Sequence, residues 1–334
     1  STLNEKIELI SEANKPVNIS LVVIDCEDCS SVSSVVDSIK GQNINLTSEE
    51  NLNYNSDKAK ELIFKYNIQK LPIVIISGDI DNEKINYRDF KKIDNVLVFN
   101  NTVAPYFDLN SEIVKGKVSI IEIIDSSCEN CLPLTSMING LVQSDVLIDK
   151  SDKFEYNSKV GKDMINKYGV KNIPALLISE DIDYYPELSK SLSKIGADKK
   201  NGYYLFYSPI PPYRDLTLNK IVGLVDLILL TDNSCTECYD VNVNKQIVAS
   251  LGVALNSENT YDVGSIKGSS LVSKYNITKA PMILLSPNVD KYSSFVQAWK
   301  GVGSAEEDGW FVMRRPEAVG ASMNIKTKEM VTGK

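Results

Sequence analysis

With 334 residues the chain exceeds what one ordinary hydrophobic core organises and suits two or three domains, three of about 110 residues each being a natural division. Hydrophobic residues make up 43% and charged residues 24%, which excludes a disordered chain. The net charge of -8 leaves no basic stripe for nucleic acid, and the complete lack of histidine removes every mechanism built on an imidazole.

Taken in chain order, the first apolar run, Leu21 to Ile24, reads as a buried strand and leads to Cys26 and Cys29. Val32, Val35, Val36 and Ile39 then recur at helical spacing, and Ala59, Leu62, Ile63 and Tyr66 form a second helical stripe. Leu71-Pro72 opens a short strand ending at Ser77, and Val96 to Phe99 reads as the closing strand. A connector, Ala104-Pro105-Tyr106-Phe107-Asp108-Leu109, is expected to lead through a short helical stretch to the next repeat.

The pattern then starts again. Ile120 to Ile124 precedes Cys128 and Cys131, with a helical stripe of Leu134, Met137, Ile138 and Leu141; Ile173-Pro174 opens a strand ending at Ser179, and Tyr203 to Tyr207 closes it. After a similar connector, Pro211-Pro212-Tyr213-Arg214-Asp215-Leu216, the third copy runs from Leu227 to Leu230 through Cys235 and Cys238. Its helix stripe is looser, with Val243, Ile247 and Leu251, followed by Ala280-Pro281, a strand ending at Ser286, and a last strand over Trp310 to Met313. Pro72, Pro174 and Pro281 each lie 43 residues beyond the second cysteine of their pair. A period of more than 100 residues is a whole domain and not a solenoid repeat. The expected division is 1–103, 104–210 and 211–320, with 321–334 as a C-terminal tail whose order would require docking onto this chain or a copy of it. The proline-stiffened connectors predict a semi-rigid chain of domains.

A strand, a Cys-x-x-Cys pair at a helix start, and a proline some forty residues later opening another strand: this arrangement resembles the thioredoxin family, three times over. The resemblance implies an α/β fold of three tandem thioredoxin-like domains, each a central mixed sheet flanked by helices. It implies that Pro72, Pro174 and Pro281 are cis, and that Leu71, Ile173 and Ala280 with these prolines hold a partner peptide as an added strand. By the same resemblance Cys26, Cys128 and Cys235 attack a protein disulfide and Cys29, Cys131 and Cys238 resolve it, as in disulfide isomerases and related oxidoreductases. A helix start beneath the first cysteine would favour its thiolate.

Two features depart from that pattern. Asp25, Ser127 and Ser234 stand where the family has an aromatic residue, and Glu27, Asp28, Glu129 and Glu237 put negative charge inside the pairs, which opposes thiolate formation. Two readings therefore stand side by side. One is an exported thiol–disulfide oxidoreductase acting on protein thiols and disulfides; the other is a structural, extracellular or cell-surface protein, such as a filament subunit, whose partners are copies of itself and whose cysteine pairs are fixed disulfides. Metal binding is a weaker third, since Cys-x-x-Cys is half of a zinc site and histidine is absent; no metal and no cofactor are expected.

No apolar run approaches the roughly 20 residues that span a bilayer. A start at Ser1 fits a mature, extracytoplasmic protein after signal removal. Asn18, Asn45, Asn100 and Asn276 lie in Asn-x-Ser/Thr sequons and are glycosylation candidates in such a setting. Tyr184-Tyr185-Pro186 and the tyrosines from Tyr203 to Tyr213 read as packing or as a binding face.

Overall fold

The computed structural model describes residues 15–81, 86–195, 197–208 and 210–333. The first repeat runs β1 (Val17–Asp25), α1 (Ser33–Lys40), β2 (Ile44–Asn53), α2 (Asp57–Lys65), β3 (Lys70–Leu71), β4 (Ile73–Gly78), β5 (Phe90–Ile93) and β6 (Val96–Phe99), followed by β7 (Tyr106–Asp108) and β8 (Ile113–Lys115). The second runs β9 (Val118–Ile124), α3 (Thr135–Gln143), β10 (Ile148–Glu155), α4 (Lys159–Tyr168), β11 (Asn172–Ile173), β12 (Ala175–Ser179), α5 (Pro186–Lys194), β13 (Asp198–Lys200) and β14 (Tyr203–Tyr207), then β15 (Tyr213–Asp215) and β16 (Lys220–Val222). The third runs β17 (Val225–Thr231), α6 (Val243–Ser250), β18 (Leu255–Asp262), α7 (Ile266–Lys274), β19 (Lys279–Ala280), β20 (Met282–Leu285), α8 (Ser293–Trp299), β21 (Gly303–Ala305) and β22 (Phe311–Met313), then β23 (Ser322–Asn324) and β24 (Met330–Val331).

Each repeat builds one five-stranded sheet with the same order: β2-β1-β4-β6-β5, β10-β9-β12-β14-β13 and β18-β17-β20-β22-β21. In the first and third sheets the central strand pairs in parallel with the strand after its helix and antiparallel with the strand after the proline. The sheets are mixed because a helical crossover returns the chain parallel, whereas the later strands return antiparallel. Near-continuous apolar runs such as Val225–Thr231 go to these central strands, which are covered on both faces. Ile19, Leu21 and Ile24 anchor the first core, and Leu227, Leu229 and Leu230 anchor the third.

The second helix of each repeat starts on a serine cap. Ser56, Ser158 and Ser265 accept hydrogen bonds from the amides of Ala59, Gly161 and Gly268, satisfying donors that a helix start leaves free. The residue ending each of these segments is left-handed: Asn67, Gly169 and Asn276 have φ of 49°, 67° and 49°. Glycine and asparagine are the residues that tolerate that region, so the repeated Lys-Tyr-Asn/Gly phrase is a helix stop.

By spatial proximity the chain divides into two compact units. Of the described residues, one takes in those up to Ile120 with Met137–Ser151 and those within 178–204; the other comprises Ile121–Ser136, Asp152–Leu177 and those from Leu205 onward. Within the first, Tyr185 Oη donates to the Gly116 carbonyl and accepts from the Leu147 amide. Within the second, Tyr292 Oη donates to the Gly223 carbonyl and accepts from the Ala254 amide. Gly116 and Gly223 have φ of 84° and 90°, and a Cβ on them would come within 2.7 Å of Ala104 and 2.4 Å of Pro211, so no other residue fits. Tyr185 is thus a packing residue, while Tyr184 stands against the Tyr106 ring with centroids 6.0 Å apart.

Three expectations are corrected. The connectors after the first two repeats do not continue as helical stretches; they fold as the hairpins β7–β8 and β15–β16. The reason is local, because Asp108 and Asp215 accept from the amides two and three residues ahead and turn the chain back on itself. The tail is not a separate element either: β23–β24 is a third copy of the hairpin, with Asn324 in the aspartate's role. In α6, Val243 and Ile247 face outward and Asn244 and Val248 are buried. Asn244 can occupy a core position because its amide donates to Tyr239 Oη and to the Val241 carbonyl.

Candidate functional site

Each cysteine pair sits where its central strand ends. Cys26–Cys29, Cys128–Cys131 and Cys235–Cys238 are all closed as disulfides. The pairs lie in turns: the Cys128 and Cys235 amides donate to the carbonyls of Asp125 and Asp232, and the Cys131 amide donates to the Cys128 carbonyl. Here the structure departs from the expected arrangement. The helices begin at Ser33, Thr135 and Val243, four to five residues beyond the second cysteine, so no pair rests on a helix start. The amides just after the second cysteine are engaged elsewhere: Ser30 donates to the Pro105 carbonyl and Tyr239 to the Ala321 carbonyl. In the second repeat Pro133 holds Leu132 out of the helical region. Without a helix start beneath it, the first sulfur loses the dipole that would favour its thiolate.

The prolines are where the spacing places them. Leu71-Pro72, Ile173-Pro174 and Ala280-Pro281 are cis, as are Ala104-Pro105 and Pro211-Pro212 at the hairpin entries. In the third repeat Cys238 Sγ lies 3.8 Å from the carbonyl oxygen of Ala280, and Tyr239 Oη donates to the Pro281 carbonyl. Burial pushes the Tyr239 phenol up, against the Asn244 hydrogen bond that lowers it.

The strand edge ahead of each cis proline, where a partner peptide was expected, carries the chain's own hairpin. Lys70 and Leu71 pair with Asp108 and Phe107, Asn172 and Ile173 with Asp215 and Arg214, and Lys279 and Ala280 with Asn324 and Met323. One more bond extends each ladder, from the amides of Leu109, Leu216 and Ile325 to the carbonyls of Gln69, Lys171 and Thr278. The three-stranded sheets β3-β7-β8, β11-β15-β16 and β19-β23-β24 are therefore equivalent.

The hairpins are tied to the cysteine turns by different side chains. Arg214, in the register position of Phe107 and Met323, donates through Nε to Asp125 and through Nη2 to Ser127 Oγ at 3.2 Å. Its guanidinium also lies over the Tyr156 ring, 4.7 Å from the centroid. Lys328, from the β23–β24 turn, donates to Asp232 at 3.1 Å and to Ser234 Oγ at 3.2 Å. Both carboxylates are buried, at 7% exposure. Burial alone would push Asp125 and Asp232 up, but the hydrogen bonds from Ser127 with Arg214, and from Ser234 with Lys328, outweigh it and hold both below the usual range. In the first repeat Asp25 is exposed and accepts from the Cys26 amide, while Phe107 packs on Tyr54 with centroids 5.0 Å apart.

Exposure differs among the sulfurs. Cys128 is buried, whereas Cys26, Cys29, Cys131, Cys235 and Cys238 are half-buried. Met330 Sδ lies 3.7 Å from Cys235 Sγ. The four sequon asparagines are exposed. Asn18 accepts from the Asn45 amide, Thr47 Oγ1 donates to the Ile19 carbonyl, and Thr102 Oγ1 to the Pro72 carbonyl, so these side chains already serve the fold. Among the described residues no cluster of three or more acidic, cysteine or histidine side chains could hold a metal, and no helix is long and apolar enough to cross a membrane.

No family model matches the chain, and no curated protein does. Solved structures overlap it loosely. The N-terminal domain of alkylhydroperoxide reductase AhpF from Enterococcus faecalis shares 15% identity over 51% of this chain and 81% of its own, with a TM-score of 0.17. Human ERp44 shares 10% over 98% of both chains, with a TM-score of 0.16. ERdj5 shares 12% over 85% of this chain and 39% of its own, also at 0.16. Scores this low add nothing to the strand order, the cysteine turns and the facing cis prolines. Those features make the chain a tandem of three thioredoxin-like folds, each carrying a Cys-x-x-Cys disulfide and its own hairpin.

Proposed function

We propose that this chain is a structural protein of an oxidising, extracytoplasmic setting, in which thioredoxin-like folds serve as building units and the three cysteine pairs are fixed local disulfides. The observation that supports this reading is the hairpin lying on the cis-proline edge in all three repeats. An exchange enzyme of this fold needs that edge for its substrate strand and needs an activated first thiolate. Here the edge is filled and the helix start lies beyond the pair. Local disulfides persist where the surroundings are oxidising, which carries the address with it.

A second reading, thiol–disulfide exchange on protein substrates, draws support from the half-buried sulfurs of the first and third pairs and from the cis-proline loop against Cys238 in the third. Reduction potentials separate the two. Equilibrating the protein in graded thiol buffers, then alkylating and weighing each cysteine peptide, gives values below about -300 mV for fixed disulfides. Values between about -120 and -270 mV in any pair would move that repeat to the exchange reading. Light scattering on the native protein tests whether its partners are further copies of itself.

A further inference from the structure

We infer that Arg214 and Lys328 are positioning residues for the second and third cysteine pairs: each fixes a hairpin to the carboxylate opening the cysteine turn and sets the charge that the first sulfur meets once its disulfide is opened. Two independent repeats carry the inference. In each, a buried aspartate three residues before the first cysteine accepts from the serine immediately before that cysteine, and a cation from the hairpin bonds both the aspartate and the serine hydroxyl. The cation is thus bonded to the serine that precedes the first cysteine in sequence.

The two sites reach the same contact by different routes. Arg214 stands on the hairpin strand β15, paired opposite Ile173. Lys328 stands in the turn, with φ of 59°, a left-handed conformation that costs a lysine about 1 kcal/mol relative to an ordinary one. Asn219, a residue that accepts this conformation readily, takes the left-handed position in the second hairpin. The third repeat has Met323 where Arg214 stands, and the strained lysine supplies the missing cation. The first repeat has neither, and its carboxylate is exposed.

Opening a disulfide turns this arrangement into chemistry. A dithiol reagent gives two electrons to the protein sulfurs and closes its own disulfide; the Cys128–Cys131 bond breaks, and the reagent's two protons go to the protein sulfurs or to water. A thiolate forming at Cys128 then belongs to the same turn as the buried Asp125 carboxylate, whose charge Arg214 offsets. With Arg214 neutral, Asp125 stays as an uncompensated negative charge, the thiolate is disfavoured and the pair becomes harder to reduce.

The test uses the full chain with dithiothreitol as the probe, at about pH 9.5 so that an ordinary cysteine of pKa about 8.5 is populated as thiolate, and reads each pair's equilibrium by alkylation and mass spectrometry. Arg214→Gln is expected to lower the reduced-to-oxidised equilibrium constant of Cys128–Cys131 about tenfold, equal to about 30 mV for a two-electron couple, and Lys328→Gln to do the same for Cys235–Cys238. Neither should move Cys26–Cys29. Arg214→Lys and Lys328→Arg keep the charge and should leave the potentials within twofold of the parent. A neutral variant that leaves its pair's potential unchanged, or a charge-conserving one that shifts it as far as glutamine does, overturns the inference. Where Arg214→Gln does not fold, Asp125→Asn with Arg214→Gln removes the pair together and must return the potential to within twofold of the parent. This inference concerns the shift between variants, whereas the proposed function rests on the absolute potential of the parent, so each can fail alone.

Discussion

The first and second cysteine turns face hairpins of the same register but are locked to them by opposite kinds of chemistry. A tyrosine at the end of the strand beside the turn meets the hairpin in both: Tyr54 packs on the Phe107 ring, and Tyr156 lies under the Arg214 guanidinium. In the first repeat the lock is dry ring packing with the carboxylate left at the surface. In the second it is an ion pair with the aspartate side chain 1% and the arginine side chain 12% exposed. What the two share is the ladder from the hairpin to the cis-proline strand. The backbone pairing is therefore the conserved requirement of the architecture, and side chains of quite different character satisfy it.

The largest effect is expected where one partner of the buried pair is removed. Arg214→Ala leaves Asp125 buried without its cation and should destabilise the second repeat by about 3–5 kcal/mol, read from urea denaturation. Phe107→Ala in the first repeat removes half-buried ring packing and should cost about 2 kcal/mol, less than full burial would give. Equal losses at the two sites would break the contrast between them.

Replacing both cysteines of one pair by serine should cost about 2 kcal/mol whichever pair is chosen, because each disulfide closes only a short loop. A much larger loss in one repeat would mean that its disulfide also holds the hairpin. Acid provides a further separation. Asp125 and Asp232 are held below their ordinary range when folded, so they contribute stability above the unfolded-state value that is lost as pH falls through the lower folded one. Hydrogen exchange below about pH 4 should accordingly show β15–β16 and β23–β24 loosening at the cysteine turns. In the first hairpin the lowered carboxyl is Asp108, held down chiefly by the Ser111 amide at the hairpin tip, so acid should open the tip and leave the cysteine turn packed.

The smallest effect concerns the left-handed helix stops. Asn276→Gly should change stability by less than about 0.5 kcal/mol, since glycine already fills the same position at Gly169. The variant also deletes one sequon, so an unchanged mass distribution of protein expressed in a glycosylating host would show that Asn276 carries no glycan there.

The repeat was legible because its marks are local or exactly spaced. The apolar strands, the helical stripes and the 43-residue interval from cysteine to proline all follow from residues near one another in sequence. The hairpins were harder to read, since their partners β3, β11 and β19 lie more than thirty residues upstream and short strands carry little periodicity of their own. A signal did exist in the aligned phrases Tyr-Phe-Asp-Leu, Tyr-Arg-Asp-Leu and Ser-Met-Asn-Ile, each with an Asp or Asn in third place that builds its own turn. The third copy was masked because Ala321 replaces the entry proline and Ser322 the tyrosine. The outward face of α6 misled for a related reason: a polar Asn244 sits in the core, and only the tertiary hydrogen bonds to Tyr239 and Val241 make that position tolerable. Arg214 and Lys328 could not be found by spacing, because each acts across about 90 residues from a different place in its hairpin.

The hairpins also give the chain an order in time. The edge beside each cis proline is completed by residues made after the repeat's last strand: Tyr106–Lys115 after Phe99, Tyr213–Val222 after Tyr207, and Ser322–Val331 after Met313. At synthesis rates of roughly 5–20 residues per second, each newly formed sheet waits on the order of a second for its hairpin. During that interval the cis-proline edge is bare; once the hairpin zips on, the edge is filled. The three edges are thereby completed in the order first to third, following the direction of translation.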